Sequence, residues 1–183
     1  MIVGIDSGPL GRRVLDYTPV SPGWTIPPGA PASGLATGGA DAFLLLLERT
    51  VKPLVAARWS INPRRQTLAG HSFGGLLALH ALFTRPDTAM RYAAVSPSMW
   101  FGGDLLAREE RTARLSGSQA LIAVGIDERG PDGGSGAAAE ALARRISAAG
   151  APTRFLSLTG QEHGTTMLAA MGPILKLAFE DRR

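Results

Sequence analysis

One serine, set between small residues where a short apolar stretch meets a long one, constrains this chain more than any other feature. Residues 65–83 read RQTLAGHSFGGLLALHALF, and Ser72 occupies the centre of a Gly-x-Ser-x-Gly pattern with Gly70 and Gly74. The residues before Ser72 predict a buried strand, and those after it predict an apolar helix. We expect side chains at positions 70 and 74 to clash with the adjoining strand and helix, which explains the two glycines. The chain must therefore turn sharply at Ser72.

Strands and helices are predicted to alternate along the chain. Short apolar runs predict strands near 1–6, 66–70, 91–96, 121–126 and 153–158. Helical spacing of apolar residues predicts helices near 40–58, 73–84, 104–115, 136–149 and 165–180. Residues 7–39 are rich in Gly, Pro, Ser and Thr and predict a long irregular segment. This order predicts an α/β fold in a single domain of residues 1–183, with a mostly parallel sheet covered by helices on both faces.

Composition excludes several classes of protein. The chain has 183 residues, of which 45% are hydrophobic and 19% charged, as in a soluble globular domain. It has no apolar run of transmembrane length and no basic leader, so a soluble, cytoplasmic protein is expected as the chain stands. The net charge of +4 suits an anionic substrate, but the scattered arginines argue against nucleic-acid binding. Without cysteine there are no disulfides or thiolate ligands, and we expect neither a metal nor a cofactor.

Ser72 at such a turn is a candidate nucleophile, which requires a base. His71 lies inside the turn and should point away from the serine, whereas His80 falls in the apolar helix and reads as a core residue. His163 is predicted in a loop between the last strand and the last helix, where a side chain can reach the carboxyl ends of the strands. His163 is therefore the candidate base.

The base needs a carboxylate to orient it, and the fourth strand ends in VGIDERG. We favour Glu128 as the acid that completes a catalytic triad, with its neighbour Asp127 as the alternative. The backbone N–H of Phe73, at the start of the helix, is the expected oxyanion donor. A second donor normally comes from a loop after an earlier strand, and none is evident in this sequence.

Five segments strengthen this hypothesis, because together they resemble the esterase D superfamily of α/β-hydrolases and follow one another in the order found there. These segments are VGID, GRRVLDYTP, GGADAFLLLLERTVKPL, GHSFGGLLALHALF and YAAVSPSMWF. The resemblance is greatest to the siderophore esterases that cut enterobactin and salmochelin. It implies that Ser72 is the nucleophile, His163 the base and Glu128 the acid. It also implies a substrate pocket bordered by Ser98 and Trp100, and a loop with Arg12 and Arg13 that can pair with an anionic ferric catecholate.

The chain departs from that family at its N-terminus. VGID resembles the fourth strand of the hydrolase sheet, which about a hundred residues normally precede. We therefore expect one of three outcomes: the chain is a fragment, its IVGID segment pairs directly with QTLAG, or its exposed sheet surface binds a partner chain or a second copy. The functional alternatives are a general short-acyl or S-formylglutathione-type esterase, and an inactive truncated hydrolase.

Overall fold

A computed structural model describes residues 1–30, 32–115, 117–128 and 135–180. Its helices are α1 (Leu10–Tyr17), α2 (Ala40–Leu46), α3 (Lys52–Ala56), α4 (Phe73–Thr84), α5 (Leu105–Thr112), α6 (Ser135–Ala148), α7 (Thr166–Ala169) and α8 (Met171–Phe179). Its strands are β1 (Thr67–His71), β2 (Arg91–Val95), β3 (Gln119–Gly125) and β4 (Thr153–Leu158). The predicted alternation of strands and helices is confirmed from β1 onwards.

The four strands form one parallel sheet in the order β1-β2-β3-β4. Each crossover contains a helix, as parallel neighbours require. All four strands therefore end at the same edge of the sheet, above which side chains from different loops can meet.

Helices cover both faces of this sheet. The helix α4 is apolar almost all round, and its residues from Gly75 to Phe83 are buried against β1, β2 and α5. On the opposite face, Ile174 and Leu177 of α8 pack on Ala93 and Val95 of β2. His80 is buried in α4, as predicted, with its Nδ1 2.8 Å from Glu109 Oε1 of α5.

The helical stretch predicted at 40–58 is present with an irregularity. A π-helical turn at Leu47–Val51 joins α2 to α3. Pro53 has no N–H with which to bond the carbonyl of Arg49, and the wider turn accommodates that lost bond.

Two predictions for the N-terminal part are wrong. Residues 1–6 form no strand, and the apolar side chains of Met1, Ile2, Val3 and Ile5 are all exposed. Within the described residues β1 pairs with β2 alone, so the IVGID segment does not pair with QTLAG. An apolar run becomes a strand only when a neighbour takes up its backbone groups, and this run has none there.

The segment predicted as irregular contains a helix. Within residues 7–39, α1 occupies Leu10–Tyr17 and buries Val14 and Asp16. Apart from Gly11, which lies in the first turn of α1, the glycines and prolines that suggested an irregular segment lie on either side of this short amphipathic stretch. The remaining described residues of the segment are irregular, as predicted.

Candidate active site

The turn at Ser72 has the strained backbone that its sequence predicted. Ser72 has φ 58° and ψ −119°, a region that few non-glycine residues adopt. Its N–H donates to the carbonyl of Val95 on β2 at 3.0 Å, and its carbonyl accepts the N–H of Ser98 at 3.1 Å. These bonds to the neighbouring strand and its loop hold the serine in this conformation between β1 and α4.

The steric reason for the glycines holds at one position and fails at the other. A Cβ on Gly70 would lie 2.1 Å from the carbonyl oxygen of Gly74, which only glycine avoids. A Cβ on Gly74 would meet nothing within 4 Å, so the predicted clash at that position is wrong. The close approach is made by the backbone of Gly74, and position 70 alone must lack a side chain to permit it.

Three side chains predicted to act together lie in hydrogen-bonding contact. His163 Nε2 is 3.0 Å from Ser72 Oγ, and His163 Nδ1 is 2.6 Å from Glu128 Oε1. Ser72 follows β1, Glu128 follows β3, and His163 lies in the loop after β4, so the strands bring together residues that are 91 and 35 positions from His163. The imidazole thus bridges a hydroxyl and a carboxylate, in the geometry by which a histidine takes a proton from a serine.

Glu128 is enclosed, whereas the alternative acid Asp127 is exposed. The Glu128 side chain is 4% exposed, and its Oε2 accepts the N–H of Gly125 at 3.2 Å. Burial raises the pKa of Glu128, but hydrogen bonds from His163, from the Ser96 hydroxyl and from the Gly125 N–H outweigh it, so that the pKa lies below its ordinary value. Of the two predicted alternatives, the structure therefore brings Glu128 and not Asp127 into contact with His163.

Two buried hydroxyls that the sequence analysis did not single out support this arrangement. Ser96 Oγ lies 2.7 Å from Thr166 Oγ1, and Thr166 Oγ1 lies 2.9 Å from the carbonyl oxygen of His163. Ser96 is 1% exposed and has φ 43°, a positive value that is uncommon outside glycine. The sequence offered no signal for them beyond their places at the end of β2 and the start of α7.

His71, which was expected to point away from Ser72, contacts His163. Its Nε2 lies 2.7 Å from the carbonyl oxygen of His163, and the two imidazole rings are 4.7 Å apart between centroids. Burial is the main cause that lowers the pKa of His71; its hydrogen bond to the His163 carbonyl acts in the opposite direction. His71 thus contacts the candidate base, His163.

An aromatic cluster surrounds Phe73, the residue that follows Ser72 and begins α4. Phe73 is buried, and its ring meets Trp100 at 5.9 Å between centroids. Trp100 is half-buried, and its ring centroid also lies 6.2 Å from that of Trp24. Trp24 belongs to the segment that was predicted to be irregular, and its sequence gave no sign of this contact. Because Phe73 is the first residue of α4, its N–H has no acceptor within the helix and can donate to an anion. Of the two residues predicted to border a pocket, Ser98 contacts the serine, with its Oγ 3.4 Å from Ser72 Oγ, whereas Trp100 contacts Phe73.

The two arginines predicted near the cleft differ in their surroundings. Arg12 Nε pairs with Asp16 Oδ2 at 2.8 Å along α1. The charge of Arg13 contributes to the lowered pKa of His71, which places that guanidinium within electrostatic reach of the site.

The described residues contain neither a metal-binding cluster nor a membrane-spanning helix. No group of three or more His, Cys, Asp or Glu residues in the described ranges could hold a metal ion. Over the same residues, no helix is long and apolar enough to cross a membrane.

A parallel sheet with helices on both faces and a Ser–His–carboxylate cluster at the strand ends has the architecture of an α/β-hydrolase. A family model, Esterase, matches residues 2–162, and the chain belongs to that family. The predicted fold class is therefore confirmed, and relatives named siderophore esterases confirm the resemblance to that group.

Two curated relatives and one solved structure illustrate the likeness. The siderophore triacetylfusarinine C esterase of Aspergillus fumigatus is 45% identical over 101 residues, which cover 55% of this chain and 32% of that protein. The siderophore enterobactin esterase of Emericella nidulans is 42% identical over 106 residues, covering 55% of this chain and 34% of that protein. The structure of the BES protein from Bacillus cereus matches with a TM-score of 0.80 at 27% identity, over 98% of this chain and 69% of that one. The match thus spans about a third of the length of these curated relatives.

Proposed function

We propose that this chain is a serine esterase that hydrolyses carboxylic esters through an acyl-enzyme, and that its substrates are esters of siderophores. The observation that carries the proposal is the unbroken contact from Ser72 Oγ through the His163 imidazole to Glu128, at 3.0 and 2.6 Å. A serine hydroxyl is a weak nucleophile until an adjacent base accepts its proton, and this contact supplies that base.

In the acylation step, Ser72 Oγ attacks the ester carbonyl carbon while its proton passes to His163 Nε2. The carbonyl electron pair moves to the oxygen, and the N–H of Phe73 donates a hydrogen bond to the resulting oxyanion. Collapse of this intermediate breaks the bond to the leaving alkoxide oxygen, which takes the proton from His163 Nε2. Glu128 accepts the Nδ1–H of His163 throughout and stabilises the transient imidazolium.

In the second step a water molecule gives its proton to His163 Nε2 as its oxygen attacks the acyl carbon. The tetrahedral intermediate then expels Ser72 Oγ, which recovers the proton from the imidazolium, and the free carboxylic acid leaves. The same histidine therefore acts first as base and then as acid in each half of the reaction.

Three observations support a siderophore ester as the substrate. Both curated relatives described above are named siderophore esterases. The net charge of +4 favours the approach of an anion such as a ferric catecholate. Half-buried Trp100 meets Phe73, the residue after Ser72, and half-buried Trp24 meets Trp100, so that both offer aromatic faces that suit a flat aromatic acyl group.

The mechanism is tested by reaction with a fluorophosphonate probe, which labels only an activated serine. We expect the wild-type chain to be labelled and the Ser72→Ala and His163→Ala variants to remain unlabelled. Circular dichroism establishes that each variant is folded. A folded wild-type chain that does not react would contradict the proposal and favour the inactive hydrolase among the alternatives.

The substrate is tested separately on the protein that reacts with the probe. We expect turnover of enterobactin, with a larger kcat/KM than for p-nitrophenyl acetate or S-formylglutathione. Preferential cleavage of S-formylglutathione would retain the serine mechanism but overturn the siderophore assignment. Efficient turnover of the acetate ester alone would favour a general short-acyl esterase.

A further inference from the structure

His71 links two parts of the site that the fold holds on opposite sides. Ser72 follows β1 at one edge of the sheet, whereas the loop with His163 follows β4 at the other edge. That loop must therefore cross above the strand ends to reach the serine. His71, the last residue of β1, contacts the backbone of His163 itself, 92 residues away in sequence, at 2.7 Å.

The chemistry of this contact determines which atom carries the proton. A carbonyl oxygen only accepts hydrogen bonds, so His71 Nε2 must be the donor. The carbonyl of His163 also accepts from Thr166 Oγ1 at 2.9 Å, but Thr166 lies three residues further along the same segment. The bond from Thr166 shapes the loop locally, whereas the bond from His71 attaches the loop to the strand that precedes the nucleophile.

We propose that His71 is a positioning residue that acts through His163: its Nε2–H anchors the loop of the base to β1 and so holds the imidazole within reach of Ser72. This inference rests on the proposed serine–histidine mechanism. The 4.7 Å contact between the two rings restrains the same loop by packing.

The surroundings of His71 lower its pKa and so favour the neutral imidazole as the hydrogen-bond donor. His163, Glu128 and Arg13 are the titratable groups that interact with it electrostatically. Burial, followed by the charges of His163 and Arg13, lowers the pKa of His71, against the opposite influence of the hydrogen bond to the His163 carbonyl and of Glu128. A neutral His71 adds no repulsion when His163 becomes an imidazolium during the reaction.

Two substitutions separate the hydrogen bond from the packing. His71→Phe keeps a ring against His163 and removes the donor, whereas His71→Gln offers an amide N–H at a similar reach. We expect fluorophosphonate labelling to slow by about three- to tenfold in His71→Phe, the effect of one neutral hydrogen bond. His71→Gln should label within about twofold of the wild type. Labelling of folded His71→Phe at the wild-type rate would overturn the proposal, because a merely structural residue leaves the rate of the folded protein unchanged.

A measurement that needs no activity accompanies these rates. Long-range ¹H–¹⁵N NMR of the imidazoles should show His71 neutral, with its proton on Nε2; a proton on Nδ1 would overturn the proposed contact. If the folded wild-type chain fails to react with the probe, the proposed function fails. The tautomer of His71 would still decide whether the anchoring bond exists.

Discussion

Asp127 and Glu128 are adjacent carboxylates with opposite surroundings. The chain leaves β3 at Gly125 and turns so that Glu128 folds back onto the backbone N–H of Gly125, at 3.2 Å, while Asp127 faces solvent. A Cβ on Gly125 would lie 2.1 Å from the carbonyl oxygen of Gln161, so the turn also needs glycine to let the loop of His163 approach. The local backbone thus selects which carboxylate meets the imidazole.

A matched pair of substitutions tests this difference. Glu128→Gln removes the charge that stabilises the imidazolium of His163, and we expect kcat for p-nitrophenyl acetate to fall by on the order of 10²- to 10⁴-fold. Asp127→Asn changes an exposed residue and should leave kcat within about twofold. Equal effects of the two substitutions would contradict the assignment of Glu128 as the acid.

The lowered pKa of Glu128 predicts how stability depends on pH. Its ordinary value is 4.5, and its value in the folded chain is lower. Such a group stabilises the fold fully above the unfolded pKa, and this contribution is lost as the pH falls through the folded pKa. Relative to Glu128→Gln, the free energy of unfolding of the wild type should therefore be constant above about pH 4.5 and decline below it. Urea denaturation of both proteins between pH 3 and 7 measures the difference between their free energies of unfolding. If the wild type became more stable relative to Glu128→Gln as the pH fell, the prediction would be contradicted.

Arg12 and Arg13 form a second matched pair. Arg12 pairs with Asp16, whereas the charge of Arg13 acts on His71 beside the base. We expect Arg13→Gln to raise KM for an anionic ester by about three- to tenfold, less so at high salt, because an exposed charge attracts an anion only modestly. Arg12→Gln should leave KM unchanged, and the same ester without its negative charge should not distinguish the variants. If KM rose in Arg12→Gln and not in Arg13→Gln, Arg12 rather than Arg13 would be the residue that attracts the anionic ester.

At the scale of elements, the junction between β1 and α4 depends on one close approach. We expect Gly70→Ala to lower the free energy of unfolding by about 3 kcal/mol or more, because its Cβ would overlap the Gly74 carbonyl at 2.1 Å. Gly74→Ala should leave stability unchanged or raise it by up to about 1 kcal/mol, since the site is open and alanine favours helix. Chemical denaturation of the two variants measures both effects, and equal destabilisation would show that our steric account is wrong.

The elements predicted well and those predicted poorly differ in what stabilises them. β4 and α4 occupy the residues that their patterns predicted, 153–158 and 73–84. The helix α4 buries most of its apolar residues, and β4 pairs along its length with β3 while its apolar side chains pack partly buried against the core. Residues 1–6 carry an equally apolar run but have no strand beside them. The helix α1 was missed because its eight residues are amphipathic only over two turns.

At the scale of the whole molecule, β1 leaves one side of the sheet open within the described residues. Ala69, at the centre of β1, is exposed although its partner Ala93 on β2 is buried on the same face. The exposed apolar side chains of residues 1–5 add to the apolar surface of the molecule. The outer edge of β1 has no neighbouring strand among the described residues, and such an edge beside apolar surface is a template for another chain. We therefore propose that copies of this chain self-associate there.

Substitution by lysine tests this surface. Ala69→Lys places a charge on the open edge, and we expect it to shift sedimentation velocity profiles towards the monomer at concentrations where the wild type associates. Ala42→Lys, on an exposed position of α2, adds the same charge elsewhere and should not change the association. If both substitutions act alike, net charge rather than the edge of β1 controls association.

The sequence by itself determined the α/β class, the turn at Ser72 and the roles proposed for Ser72 and His163, because periodicity, turn sterics and the order of strands are encoded over a few residues at a time. Only the tertiary structure decided that Glu128 rather than Asp127 meets His163, and that His71 and Thr166 contact the His163 carbonyl. It likewise decided that Ser96 contacts Thr166. Those contacts join residues from different strand ends. Their partners are fixed by the register of the sheet and the path of its loops, which no local pattern contains.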